Sequence, residues 1–446
     1  MVLFPRWRGW QFVKTFKLRT SHLEKWESRQ SQQAEPTEPR SQVKLSIVTQ
    51  FYPPDYAATG QLIAELAAQL GQREVQVEIF TGQPGYAFQQ GFAPIEEHLN
   101  RLTILRSRTA QLWPRRIRGK AINGLLFCLR AGLHLLSAAR RNNIILLTTA
   151  PPFLQILGYL IDRLFGLPYI CLIYDLYPDI AIELGVIPAN SWLAKTWHAI
   201  NRHIWQRSQQ LIVLSATMKQ RILEKCPEMK NKISVIHNWA NPQWIVPLEK
   251  HNNWFAQQHQ LNEKFTVLYS GNMGRCHDLE TLLLTAQQLQ HEPIQFLFIG
   301  NGAKHKVCTE QTSTLGLKNV RFLPYQDKPT LPYSLTACDL SIVSISPGLE
   351  GLVAPSKIYS ALAAGRPIAA ICERHSYLQT LIANANCGAT FESGDSNGLA
   401  RFIRHLASNR HLAQQMGRAG RQYLQANFTP EIIADRYLKI LTHALR

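Results

Sequence analysis

QFLFIG (295–300) and IILLTT (144–149) decide the fold of this chain. Each is a continuous apolar run without alternating polar positions. A strand that leaves one face in water alternates, whereas a strand covered on both faces reads without interruption. Runs of this kind, spaced by helical stretches, belong to parallel sheets with helices on both faces. The same pattern places strands over 43–49, 75–81, 169–174 and 211–214, with helices near 60–70, 120–140, 153–165 and 191–208. It restarts with strands over 265–270, 294–300, 320–323, 340–345 and 367–371, and helices near 278–290, 303–315, 356–364, 397–407 and 410–426.

A chain of 446 residues exceeds what one hydrophobic core usually holds. Two successive blocks therefore predict two doubly wound α/β domains, over 43–240 and 241–429, joined at NWANPQW (238–244). Residues 430–446 read as a helix that begins with Pro430 just after Thr429 and can cross back to the first domain. Ligands of open α/β sheets gather at the carboxyl ends of the strands, so the cleft between the domains is the expected active site.

Lys and Arg number 48 against 30 Asp and Glu, a formal net charge of +18. The excess is uneven. No acidic residue lies between His98 and Ile161, where Arg101, Arg106, Arg108, Arg115, Arg116, Arg118, Lys120, Arg130, Arg140 and Arg141 all fall. The same window holds AINGLLFCLRAGLHLL (121–136), an apolar run interrupted by Arg130 and His134. Basic residues joined to an apolar helix suit an anionic membrane surface, each cation adding about 1 kcal/mol near the headgroups. No nucleic-acid-binding motif accompanies the charge, so a nucleic acid partner is not expected.

Residues 1–42 form a basic, aromatic arm followed by a polar linker, without a signal-peptide core. No run reaches 18 uninterrupted apolar residues, and 153–174 contains Asp162 and Arg163, so a buried helix and strand are expected there. The 8 cysteines are scattered without a C-x-x-C pair, which argues against a zinc site or disulfide framework and for a reducing cytoplasm.

Several loops carry chemistry. PSKIYSALAAGRP (355–367) reads as a short helix, with Pro355 before it, Ser356 as N-cap, Lys357 in the first turn, Gly365 in a left-handed C-terminal position and Pro367 as a stop. A helix start bearing a lysine suits a pyrophosphate. The segment 269–275 ends a strand with Gly271, Asn272 and Arg275, letting a ligand approach the backbone and a guanidinium reach a phosphate. Gly300, Asn301 and Gly302 repeat the strand–Gly loop–helix arrangement, and Glu350 precedes the 355–367 helix. In the first block Thr59 and Gly60 open a helix after the first strand, and Asp175 follows an apolar strand as a candidate acid/base or sugar-hydroxyl ligand.

Together FYPPDYAATGQLIAELAAQL, YDLYPDIAIELG, LIVLSATMKQRI, VIHNWAN, YSGNMGRCHDLETLL, FLFIGNGAKH, VRFLPYQ and LVAPSKIYSALAAGRPI resemble glycosyltransferase family 4, closest to its exopolysaccharide and colanic-acid branch. The resemblance spans residues about 45 to 430. It implies the GT-B fold, two Rossmann-like domains facing a cleft, with a nucleotide-sugar donor (UDP-linked by family habit) held mainly by the second. The acceptor, a lipid-linked or polysaccharide glycan, would be held mainly by the first.

It further implies transfer with retention, no cofactor beyond the nucleotide-sugar co-substrate, no required metal, and peripheral placement on the inner face of the plasma membrane. Carried over, Gly60 would lie against the donor phosphates and Asn272 and Arg275 would stand in the phosphate loop. Lys357 would hold the pyrophosphate and Glu350 would approach the donor sugar.

Two departures stand out. The family commonly carries a second glutamate where this chain has Ser360, although the exopolysaccharide branch shares P-S-K here. Cys276 replaces the basic residue common after G-N-M-G-x, which leaves Arg275 to substitute. Two alternatives stay open on the sequence: a GT-B nucleotide-sugar epimerase, and a non-catalytic partner protein with a degraded site.

Overall fold

The structure is a computed structural model that describes residues 43–55, 57–84, 93–107, 117–138 and 142–445. The first sheet contains β1 (Lys44–Val48), β2 (Gln76–Thr81), β3 (Glu96–Leu99), β4 (Leu102–Arg106), β5 (Ile144–Thr148), β6 (Tyr169–Ile173), β7 (Gln210–Val213) and β8 (Ile233–Val235). Their order is β3-β4-β2-β1-β5-β6-β7-β8, and every pair is parallel except β3–β4. The second sheet contains β9 (Phe265–Ser270), β10 (Ile294–Ile299), β11 (Val320–Leu323), β12 (Leu340–Ser344), β13 (Ile368–Ile371) and β14 (Gly388–Phe391). It is wholly parallel, in the order β11-β10-β9-β12-β13-β14.

Each sheet reverses its winding beside its first strand, β1 in one and β9 in the other. The loops at those carboxyl ends are where an open sheet leaves a crevice. Every residue of β5, β6 and β10 is buried, as their uninterrupted apolar reading requires. Burying each Leu or Ile contributes about 1.5–3 kcal/mol.

The two lobes are joined in three ways. The chain crosses through 236–250, where Arg421 donates to the carbonyls of Pro242 at 2.8 Å and Ile245 at 2.7 Å, and to that of Ala363. The helix Pro430–Ala444 returns to the first lobe and packs on the helix Ala58–Gln72, with Arg73 paired to Asp435 at 2.6 Å and to the Glu431 carbonyl at 3.0 Å. Across the cleft, Leu176 N–H donates to the Leu352 carbonyl at 2.9 Å.

Some expectations need correction. Ser356 has helical dihedrals (φ −66°, ψ −17°), and its hydroxyl makes no capping bond to the helix Lys357–Ala363. Gly365 does adopt the left-handed conformation, at φ +64°.

The basic window is also less exposed than its sequence suggests. The Arg106 side chain is buried, paired with Glu97 and donating to the carbonyls of Pro94 and Pro53, both at 2.8 Å. It pins the β3–β4 edge and is not available to a membrane. Arg101 leans on Glu74, and Arg130 is exposed. Arg108, Arg115, Arg116, Arg140 and Arg141 lie outside the described residues, as do the side chains of Arg118 and Lys120 and the whole arm 1–42.

The helix Arg410–Asn427 rests a small-residue face on the end of the helix Lys357–Ala363. A Cβ on Gly417 would stand 2.1 Å from the Gly365 carbonyl oxygen, and one on Gly420 would stand 2.9 Å from Leu362 Cδ2. Gly417→Ala is expected to cost about 1–3 kcal/mol through overpacking, enough to outweigh the roughly 1 kcal/mol alanine gains in helix propensity. Calorimetry would show it as a lowered Tm. A raised Tm would contradict the close crossing.

Candidate functional site

Three loops of the second lobe meet at the carboxyl ends of β9, β10 and β12. Gly271 N–H donates to the Ile299 carbonyl at 2.8 Å, Met273 N–H to that of Asn301 at 2.9 Å, and Lys304 N–H to that of Met273 at 2.9 Å. The approach is too close for side chains. At Gly300 (φ +133°) a Cβ would fall 2.1 Å from the Gly271 carbonyl oxygen, and at Gly302 (φ +153°) 2.5 Å from Asn272 Oδ1. The Asn301 carbonyl also accepts from the Tyr325 hydroxyl at 3.0 Å. The paired glycine loops are thus one interlocked platform.

Lys357 lies on this platform. A Cβ on Gly271 would collide with its Cε at 2.8 Å, so the lysine stem occupies the space the glycine leaves. Lys357 Nζ lies 3.1 Å from His277 Nε2, 3.4 Å from the Asn272 carbonyl and 5.1 Å from the centre of the Tyr269 ring. Among the described residues no carboxylate forms an ion pair with it. Burial holds the ammonium down to about 7, with the neighbouring Cys276 opposing that effect. An uncompensated, partly desolvated cation of this kind gains strongly from an arriving anion.

His277 itself is kept neutral. Burial, then the charge of Lys357, pushes it down to about 3. Its Nδ1 is 2.8 Å from the Ser344 carbonyl, and a carbonyl only accepts, so Nδ1 carries the proton.

The first lobe faces this platform with Asp175. Thr149 Oγ1 accepts from the backbone N–H groups of Tyr174 at 3.1 Å and Asp175 at 3.2 Å, fixing the turn after β6. Asp175 pairs through its backbone with Val353, and burial raises its carboxyl to about 6. Burial, then the charge of Asp175, pushes the Cys276 thiol up to about 11, so it stays protonated near neutrality.

Glu350 is 1% exposed. Its Oε1 accepts from the Thr217 hydroxyl at 2.6 Å and from Tyr377 N–H at 3.3 Å, while Oε2 has no partner among the described residues. Arg221 holds the Glu350 carbonyl at 3.1 Å, so the helix Ala216–Lys225 of the first lobe orients an acid of the second. A buried carboxylate oxygen without a donor is costly.

The structure therefore brings together Lys357, Gly271, Asn272, Gly300, Asn301 and Gly302, with Asp175 and Glu350 at the same interlobe seam. Arg275 is exposed on the rim of the platform. Gly60 is buried, and a Cβ there would stand 2.9 Å from the Phe51 carbonyl and Tyr52 nitrogen, so packing of its helix under that loop already requires the glycine. The Ser360 hydroxyl donates to the Lys357 carbonyl at 2.9 Å within the helix. Pro355 is buried and Ser356 half-buried. His277, Thr217, Tyr269 and Tyr377 escaped the sequence reading. His277 stood within the 269–283 motif, but only the fold shows that it meets a lysine eighty residues away.

Comparison with known proteins agrees with this geometry. The model described as Glycosyltransferase Family 4 matches residues 59–244, and Glycosyl transferases group 1 matches residues 251–423. The chain is 26% identical over 308 residues to "Probable glycosyltransferase WbjE" of Pseudomonas aeruginosa, covering 68% of this chain and 75% of that protein. It is 27% identical over 230 residues to WcaI of Escherichia coli, named for colanic acid biosynthesis, covering 50% of this chain and 55% of that one.

Among solved structures, sucrose-phosphate synthase of Thermosynechococcus elongatus superposes with a TM-score of 0.71 at 18% identity, over 89% of this chain and 98% of that one. Anabaena HepE, solved with UDP-glucose, gives a TM-score of 0.65 at 14% identity, over 90% and 99%. At these identities the structural likeness shows the fold. Two matched models in tandem over both lobes, the named relatives and the two facing parallel sheets identify the chain as a family 4 glycosyltransferase of the GT-B fold.

Proposed function

We propose that this enzyme moves a sugar, with retention, from a UDP-linked donor to a lipid-linked or polysaccharide acceptor in cell-surface or exopolysaccharide biosynthesis. The observation that carries the reading is the Lys357 ammonium, set on the glycine platform without a carboxylate partner among the described residues. UDP in HepE and the colanic acid role in the name of WcaI support the choice of donor and pathway class.

In this reading the bond between the anomeric carbon and the phosphate oxygen breaks, and its electron pair stays on the diphosphate. Lys357, with Arg275 from the rim, stabilises that charge without calling on a metal. The acceptor oxygen bonds the anomeric carbon on the face being vacated, and its proton passes to the departing phosphate oxygen. Glu350 Oε2 positions a hydroxyl of the donor sugar. Asp175 stands on the first-lobe side, where an acceptor would enter.

Lys357→Ala should lower kcat/KM at least about tenfold with little change in Tm, since removing one such donor costs about 2–4 kcal/mol of barrier. Unchanged turnover of the correct donor would remove Lys357 from the phosphate site. Failure of every nucleoside diphosphate to raise Tm would instead favour a non-catalytic partner. Isomerisation of the donor without an acceptor would favour an epimerase.

A pH dependence follows as well. Lys357 is held down to about 7 in the empty site, and a bound diphosphate favours its charged form. Binding therefore takes up a proton above pH 7 and not well below it. The Kd for UDP should rise above about pH 7 with a slope approaching one decade per unit. Lys357→Met should flatten that rise. An equally steep rise in the variant would assign the proton to another group.

Membrane contact completes the proposal. The helix Ile117–Ala138 buries Phe127, Ala131 and Leu135 and turns Leu125, Leu129, Leu133 and Leu136 outward, with Leu133 69% exposed. It packs through Gly132 against Leu157 of the helix Ile156–Phe165, which exposes Leu160, Leu164 and Phe165. An apolar outer face beside the acid-free window fits an anionic lipid surface, and such a site suits cytoplasmic, inner-leaflet acceptors. Leu129→Glu/Leu133→Glu should reduce co-flotation with phosphatidylglycerol vesicles while sparing turnover of a soluble acceptor. Undiminished flotation would contradict this surface.

A further inference from the structure

We propose that His277 is a positioning residue that aims the Lys357 ammonium at the donor diphosphate through a relay from the Ser344 carbonyl. The inference rests on the reading of Lys357 as the diphosphate-binding cation. Its geometry is independent of that reading: Nδ1 sits 2.8 Å from the Ser344 carbonyl and Nε2 sits 3.1 Å from Lys357 Nζ. The carbonyl at the end of β12 fixes the proton on Nδ1, so Nε2 presents a lone pair. A lone pair at that distance from an ammonium accepts one of its three protons. The Asn272 carbonyl, at 3.4 Å, accepts more weakly. Donor capacity is left over for an anion resting on the glycine loops.

The choice of acceptor has a physical reason. A carboxylate in place of His277 would orient the lysine equally well, but it would form an ion pair and cancel the charge that the diphosphate needs. A neutral imidazole orients without neutralising. Burial first, and then the charges facing it, keep it neutral. Lys357 lies on one side, and Lys304, which donates to the His277 carbonyl at 2.7 Å and pairs with Glu280 at 3.0 Å, contributes a second positive field. Tyr269 meets the imidazole edge-on with ring centres 6.0 Å apart. Cys276 and Asp175 are further titratable neighbours of this cluster, with Tyr325 and Cys308 beside Tyr269, and the Cys276 thiol stays protonated at neutral pH.

A lysine stem has four rotatable bonds, so without the imidazole Nζ would sample several positions over Gly271. The loss would appear in catalysis more than in folding. A misplaced charge stabilises the leaving diphosphate poorly even when the fold is intact.

Two substitutions separate orientation from structure. His277→Asn retains an amide donor for the Ser344 carbonyl and removes the acceptor facing Lys357. His277→Gln restores an acceptor at about the reach of Nε2. With UDP-sugar turnover, UDP affinity between pH 6 and 9, and Tm as readouts, His277→Asn should keep Tm within a few degrees. It should lose about tenfold in kcat/KM and move the pH-dependent rise in Kd to lower pH, because the charged lysine has lost a hydrogen bond. His277→Gln should recover most of both effects. In the Lys357→Ala background, His277→Asn should cost nothing further.

Wild-type turnover and an unmoved pH dependence in His277→Asn would overturn the proposal. So would a Gln variant as impaired as the Asn variant, or an additive loss in the double variant. If Lys357→Ala itself is harmless, the parent reading fails. If it is harmful while His277→Asn is harmless, only the positioning role fails.

Discussion

The site depends on a single electrostatic fact: a lysine brought onto a glycine platform where no carboxylate among the described residues neutralises it. Desolvation disfavours the Lys357 ammonium, and its neighbours among the described residues include an imidazole nitrogen, a peptide carbonyl, a phenol ring and the Cys276 thiol. Each neighbour orients the charge and none cancels it. The cost of holding such a group unpaired is offset when an anion arrives, which is the role proposed for the donor diphosphate. The glycines at 271, 300 and 302 follow from this, since each admits a backbone or lysine atom where a Cβ would collide.

The two lobes contribute unequally to that arrangement. The second supplies the cation, the glycine loops and Glu350. The first supplies Asp175 and the hydroxyl and guanidinium, from Thr217 and Arg221, that hold Glu350. The return of the helix Pro430–Ala444 to the first lobe, and the clamp of Arg421 on the 242–245 crossing, join the halves at points away from the seam. A change in lobe spacing would therefore act first on Glu350 and Asp175, leaving the cation platform intact. In the proposed reading, donor binding and sugar positioning are separable.

Much of the fold was legible because buried parallel strands leave an unbroken apolar record, as in IILLTT and QFLFIG. The elements that escaped lack that record. The edge strand Glu96–Leu99 is polar and mostly exposed, β14 is a half-buried edge, and the helix Tyr377–Ala385 is short, although Ser376 caps it with a bond of 3.1 Å to Leu378 N–H. In the site, Lys357, Glu350, Asp175 and the glycine loops could be named from local pattern. Thr217 and His277 could not, because their significance lies in contacts across 133 and 80 residues. Ser356 and Arg106 show the opposite failure. Residue type alone suggests a cap and a free cation, whereas Ser356 is itself helical without a capping bond and Arg106 is buried in its pair with Glu97.

The central claim is that Lys357 is partly deprotonated in the empty site and charged in the complex. Calorimetric titration of the enzyme with UDP at about pH 7.5, in buffers of different ionisation enthalpy, tests it most directly. The account predicts uptake of roughly half a proton or more per UDP bound, abolished by Lys357→Met. Binding without proton uptake, or uptake that survives the substitution, would contradict it.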